Sequence, residues 1–205
     1  MYVLLLNGSP KPNGNTAFAL KEMEKVFHAE GIETDTLQVG GADIRGCIAC
    51  GQCRRIGKCV FDDLVNQAAE RFERCDGLVV GSPVYYAQPN GTISAFMQRL
   101  FYSTSFDKRM KVGACVTVAR RGGLSATYDD LNKYFGISGM PIASGQYWNS
   151  IHGGAPGEAA RDPEGVQGLH TLALNMAFLI KSIALGKEQL GMPEKERTVF
   201  TNFIR

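Results

Sequence analysis

The chain has 205 residues, a length that suits one sizeable core rather than several domains. It is 44% hydrophobic and 20% charged, near the globular norm, which excludes bulk disorder. A net charge of +2 without runs of like charge gives no field for nucleic acid and no acidic or basic tail.

Tyr2–Leu6 is a continuous apolar run that ends in Asn7-Gly8-Ser9-Pro10, the pattern of a buried parallel strand. Asn15 or Thr16 is expected to cap a helix to about Glu30, with Ala17, Leu20, Met23 (or Glu24) and Phe27 at helical spacing and Gly31 as its stop. Ile32–Val39 reads as a second strand, and a Gly- and Cys-rich segment, 40–59, follows. Asp62 or Asp63 caps a helix to about Cys75. Gly77–Gly81 reads as a third buried strand, stopped by Ser82-Pro83. A helix over about Thr92–Tyr102, a fourth strand over Val112–Val118 and a helix over Leu124–Phe135 come next. A short fifth strand is expected from Pro141 to about Gln146, then a long helix over about Pro163–Gly186.

This alternation predicts an α/β fold, a doubly wound parallel sheet of five strands with helices on both faces. One domain, 1–186, is expected, with a tail at 187–205. The apolar stretch Leu172–Leu185 is broken by Asn175 and Lys181 and reads as shorter than the about 20 residues that cross a membrane. The N-terminus lacks the basic start of a signal peptide, so the expected location is cytoplasmic and the expected state of the thiols is reduced.

Ligands of open α/β sheets sit at the carboxyl ends of the strands. The loop after the first strand, Gly8 to Thr16, holds two Gly, two Pro and two Asn at a helix start, and its backbone N–H groups with the hydroxyls of Ser9 and Thr16 can surround a phosphate. It is neither a Walker A loop nor a G-x-G-x-x-G loop. After the third strand, Pro83, Val84, Tyr85 and Tyr86 offer amphipathic plates. After the fourth, Arg120, Arg121, Gly122 and Gly123 suit an anionic or planar ligand.

These loops, together with Tyr147-Trp148-Asn149 and His152-Gly153, resemble the NADPH-dependent FMN reductase family, in its iron–sulfur flavoprotein-like branch. The resemblance implies a flavodoxin-like fold with strand order 2-1-3-4-5 and FMN at the switch between strands 1 and 3. It implies that Ser9, Lys11, Asn13, Asn15 and Thr16 hold the FMN phosphate. Pro83, Val84, Tyr85 and Tyr86 would run along the ribityl chain and ring, and Arg120 to Gly123 would meet the pyrimidine end. It also implies a homodimer or homotetramer.

Cys47, Cys50, Cys53 and Cys59 are spaced C-x2-C-x2-C-x5-C. Four thiolates so close can wrap one [4Fe–4S] cube from a single loop. Zinc, or plain thiols or a disulfide, are the competing readings. Cys75 and Cys115 read as core.

The expected function is an FMN-dependent oxidoreductase that takes hydride from NAD(P)H at flavin N5 and hands electrons to a small-molecule or protein acceptor. Hydride transfer needs no acid–base side chain, so no catalytic residue is assigned, though Arg120 is placed to offset charge at the N1/O2 edge. The rival is a non-enzymatic iron–sulfur flavoprotein electron carrier.

Overall fold

Val3, Leu4, Leu5 and Leu6 are all fully buried, because the first strand has a neighbour on each edge and helices on each face. The computed structural model describes residues 1–201 and Phe203. In chain order it contains β1 (Tyr2–Asn7), α1 (Asn15–Ala29), β2 (Glu33–Gln38), α2 (Cys53–Ile56), α3 (Leu64–Arg74), β3 (Gly77–Tyr85) and β4 (Gln88–Pro89). These are followed by α4 (Gly91–Ser103), β5 (Val112–Ala119), α5 (Leu124–Ile137), β6 (Ser150–His152) and α6 (Pro163–Leu190).

The strands order as β2-β1-β3-β5-β6, with every neighbour parallel. Strand alternation sends Val3 and Leu5 to one face, where α1 and α6 cover them with Leu20, Met23, Phe27, Leu172 and Met176. Leu4 and Leu6 go to the other face, under Phe72 of α3, Phe96 and Leu100 of α4, and Phe135 of α5. Cys75 and Cys115 lie in this second layer as expected, and burial pushes the Cys75 thiol up to about 12 and Cys115 further still.

Three expectations need correction. The sheet has six strands, because β4 turns back antiparallel on the end of β3. The fifth parallel strand is not Pro141–Gln146. There, only Ile142 bridges to Gly113, through Gly113 N–H to the Pro141 carbonyl (2.8 Å) and Ala143 N–H to the Gly113 carbonyl (2.9 Å). The chain then leaves the edge over Ser144–Trp148, which have no buried side chain to hold them in register, and pairing resumes at β6. Finally, Pro83 does not stop β3. The Gly81 carbonyl accepts from Gly8 N–H on the β1 side (2.8 Å), so position 83 faces that side too, where β1 has ended and no ladder bond is lost.

α6 runs to Leu190, four residues into the segment read as a tail. At 28 residues it is long and apolar enough, by length and composition alone, to cross a membrane. One of its faces, including Leu169, Leu172, Met176 and Ile180, is packed into the core.

Gly40, just past β2, lies against the turn after β1. A Cβ there would overlap the Gly8 carbonyl and the Ser9 backbone. Gly40→Ala is therefore expected to cost about 1–3 kcal/mol of stability by urea unfolding. An unchanged midpoint would show that the two loops are not pressed together.

Candidate functional site at the carboxyl edge

The end of β1 is stitched to its neighbours before the chain turns. Asn7, 2% exposed, accepts from Ser9 N–H at Oδ1 (3.0 Å) and donates from Nδ2 to Gln38 Oε1 (2.7 Å). Gln38 in turn donates to the Ser9 carbonyl (2.5 Å), and Lys11 N–H donates to Ser9 Oγ (3.1 Å). The loop delivers Gly14 to the N-cap position of α1, where the expectation had been Asn15 or Thr16, and no side chain caps the helix. The first-turn N–H groups and the positive end of the helix dipole are thus left for a ligand.

They open on a cavity of about 220 Å³. Of the residues expected at a ligand, Ser9, Lys11, Asn15, Thr16, Pro83, Val84, Tyr85 and Arg120 line it. Asn13 stays exposed on the outer side of its loop, and Arg121 and Gly122 are exposed beyond the end of β5. Tyr86 is fully exposed at the hairpin tip, where it and Ala87 both have positive φ (51° and 58°), as a two-residue turn between Tyr85 and Gln88 requires. Gly123 has φ +88° at the start of α5, and a Cβ on it would stand 2.8 Å from Ala87 Cα. Its place is to let α5 approach the hairpin that carries Tyr85, not to line the cavity.

Val118 and Ala119, beside Arg120, and Gly153, quoted above with His152, also line the cavity, while Gly154 and Pro156 are the wall that sequence reasoning missed. The signal was a Gly/Pro-rich run of the same kind as the other loops. The strand that leads into it, β6, begins nine residues after the expected start of the fifth strand at Pro141. The Asn15 side chain donates from Nδ2 to the Ala155 carbonyl (2.9 Å) and accepts at Oδ1 from Gly157 N–H (3.1 Å) and Ala159 N–H (3.2 Å). Glu158 Oε2 accepts from Ala155 and Gly154 N–H (2.8 and 2.7 Å), and these donors hold its carboxyl below the usual glutamate value.

His152 and Trp148 face a different cavity, of about 440 Å³. There His152 N–H donates to Asp162 Oδ2 (2.7 Å), and Asp162 also caps α6 through Gly165 N–H (2.9 Å). Burial pushes the Asp162 carboxyl up, but these donors outweigh it and hold the group below its ordinary value.

The cysteine loop leaves the sheet at this edge but seats elsewhere. Cys53 Sγ is 3.9 Å from the Tyr102 carbonyl, and Cys59 Sγ accepts from Arg99 Nη2 (3.1 Å) and Nε (3.4 Å). Tyr102 lies about 16 Å along α4 from Gly91, at about 1.5 Å per residue. None of the four cysteines is among the residues that line the cavity of about 220 Å³. Cys47, Cys50, Cys53 and Cys59 are all free and line a space of about 20 Å³ with Phe61 and Arg99. Their donor chemistry suits a cluster or zinc, but their arrangement does not. Among the described residues no group of three or more His, Cys, Asp or Glu is set to hold a metal ion.

Arg99, 1% exposed, anchors the loop. It forms a fork to Asp63 (2.6 and 3.0 Å), donates to the Arg45 carbonyl (3.3 Å) and stacks on Phe61 (4.9 Å). Burial pulls the guanidinium pKa down, but the bonds to Asp63 and Cys59 more than restore it. The sequence hid this residue, since a lone Arg in α4 reads as a solvated face.

A family model described as NADPH-dependent FMN reductase matches residues 1–154. An iron–sulfur flavoprotein of Methanocaldococcus jannaschii is 30% identical over 191 residues, covering 89% of this chain and 99% of its own. Among solved structures, RosB with a bound formylriboflavin phosphate intermediate superposes with a TM-score of 0.66 at 15% identity, over 99% of this chain and 92% of that one. A flavodoxin from the domain Archaea superposes with a TM-score of 0.60 at 13% identity, over 88% and 99%. Both show the flavodoxin-like fold.

Arg99→Met would strand the part-buried Asp63 carboxylate. The expected loss in chemical unfolding is about 2–4 kcal/mol, below the fully buried range because Asp63 keeps some solvent. Adding Asp63→Asn should recover part of it. Equal stability of wild type and Arg99→Met would refute the anchor.

Proposed function

We propose that this chain, which belongs to the NADPH-dependent FMN reductase family, is an FMN-dependent NAD(P)H oxidoreductase that passes electrons to a small-molecule or protein acceptor. The observation that carries the reading is the uncapped start of α1, opening with Ser9 and Thr16 on a cavity walled by Pro83, Val84 and Tyr85. A helix start with free N–H groups and hydroxyls fits a phosphate monoester, and the apolar plates beside it fit a planar ring. Bound FMN would supply a hydride-accepting N5 and the ability to pass electrons on singly or in pairs.

The chain's own contributions follow from where its residues stand. The α1 N-terminus, Ser9 and Thr16 bind the phosphate, and Lys11 adds positive charge at the same end. Tyr85 and Val84 orient the ring. Arg120, on the far side of the cavity, offsets negative charge that develops on the pyrimidine edge.

The cysteine loop enters as four free thiols. The similarity to a protein named an iron–sulfur flavoprotein supports [4Fe–4S] as the group they would gather around, which requires the loop to close up on the Cys59 that Arg99 holds. Iron and sulfide assayed after anaerobic purification test this; their absence even after reconstitution would leave a thiol loop. We also propose a homodimer or homotetramer, supported by exposed Leu174, Phe178 and Leu185 along α6, beside the exposed Tyr147 and Trp148. Sedimentation at micromolar concentration checks it, and a monomer would refute it.

Mixing the flavin-loaded protein anaerobically with NADPH and NADH separates enzyme from electron carrier. Rapid bleaching of the flavin band is expected, and reduction only by a ferredoxin-type donor would favour the carrier. Thr16→Ala should weaken FMN binding by about 1.5–3 kcal/mol and leave riboflavin binding unchanged. Equal losses for both ligands would remove Thr16 from the phosphate.

A further inference from the structure

We propose that Asn15 is a latch. It ties the strap 153–159 to the start of α1 and so governs how fast a flavin enters and leaves the cavity, without itself holding the phosphate. The inference rests on FMN as the occupant and adds a role that the family resemblance does not imply, since the resemblance places Asn15 at the phosphate.

The carboxamide is already committed. Its oxygen has two lone pairs, and both are taken, by Gly157 N–H (3.1 Å) and Ala159 N–H (3.2 Å). One of its two N–H bonds goes to the Ala155 carbonyl (2.9 Å). Three bonds thus converge from one side chain on a segment about 140 residues away in sequence. The strap they hold supplies Gly153, Gly154 and Pro156 to the cavity wall. Between Gly154 and Glu158 the strap is exposed on its outer side, and apart from the latch its bonds are internal, from Gly154 and Ala155 N–H to Glu158. Its fixed ends are Gly153, whose N–H donates to the Ala119 carbonyl (3.0 Å), and Ala159, which is fully buried. An exposed segment held at two ends and by one side chain opens locally far more readily than the sheet beneath it.

Gly153 is shaped for the latch. A Cβ on it would stand 2.8 Å from Asn15 Nδ2 and 2.8 Å from Ala159 N. The backbone and the carboxamide meet too closely for any side chain, so Gly153→Ala should spring the latch while leaving every residue of the phosphate loop in place.

A latch and a phosphate ligand leave different kinetic marks. A ligand stabilises only the complex that contains a phosphate, so its removal speeds FMN release and spares riboflavin. A latch controls passage, so its removal speeds entry and exit of both flavins and leaves their ratio of affinities unchanged. Stopped-flow flavin fluorescence on the whole apoprotein, with FMN and with riboflavin, reads both. In Asn15→Ala the association rate should rise for both, and the dissociation rate should rise about tenfold for both. Gly153→Ala should behave the same way, and it carries the test if Asn15→Ala does not fold. Thr16→Ala, in contrast, should collapse the FMN-to-riboflavin ratio. A ratio that falls in Asn15→Ala with an unchanged association rate would overturn the latch and make Asn15 a phosphate ligand. Rates unaltered in both variants would overturn it as well. Wild-type protein that binds no FMN would bring down the proposed function and the latch together, whereas FMN binding by wild type with either adverse variant result defeats the latch alone.

Discussion

The buried carboxamide of Asn7 holds three segments together at the point where the sheet opens. It bonds forward to Ser9 N–H, sideways to Gln38 at the end of β2, and through Gln38 back to the Ser9 carbonyl. Beside it Gly8 N–H is pinned to the Gly81 carbonyl of β3. Gly14, at the N-cap position of α1, has no side chain to cap the helix, and no other side chain does so. The first-turn N–H groups of α1 therefore have no side-chain acceptor within the chain and face the cavity.

The same economy recurs on the opposite wall. Glu158 satisfies the backbone N–H groups of Gly154 and Ala155, and Asn15 satisfies the carbonyl and N–H groups around them. Two polar side chains therefore shape a segment that has no strand or helix of its own to hold it until the 3₁₀ turn at Glu158–Arg161. Arg120 passes close by: a Cβ on Gly154 would lie 3.2 Å from its Cδ. The cavity is bounded by rigid strand ends on one side and by a hydrogen-bonded strap on the other.

A second centre of order lies behind the sheet. The Arg99 guanidinium has almost no contact with water and pairs with the carboxylate that caps α3, while the same guanidinium reaches the Cys59 sulfur. One residue in the middle of α4 thereby joins α3, the cysteine loop and Phe61. The loop is fixed at Cys59 and more open toward Cys47 and Cys50, which are exposed. This division matters chemically, because any group gathered by four thiols has one of them already placed.

The sequence by itself determined the alternation of elements, the two buried faces and the edge on which the cavity of about 220 Å³ opens. Each of these comes from local signals: the apolar run of β1, the helical spacing of Leu20, Met23 and Phe27, and the Gly31 stop, whose φ is +73°. It also named most of one cavity, since Gly, Pro and hydroxyl residues at strand ends carry their meaning within a few positions. Only the tertiary structure decided the rest. Pro83 lies within a strand because β1 happens to stop beside it, and Ser150–His152 form the edge strand because β5 offers its free side there and not to Ser144–Trp148. Asn15 bonds to the strap because Ala155 and Gly157 come within reach across the sheet. Arg99 is buried because Asp63 and Cys59 meet it from other elements. In each case the partner is distant in the chain, and a polar side chain takes its role from the groups that folding brings beside it, which no local pattern records.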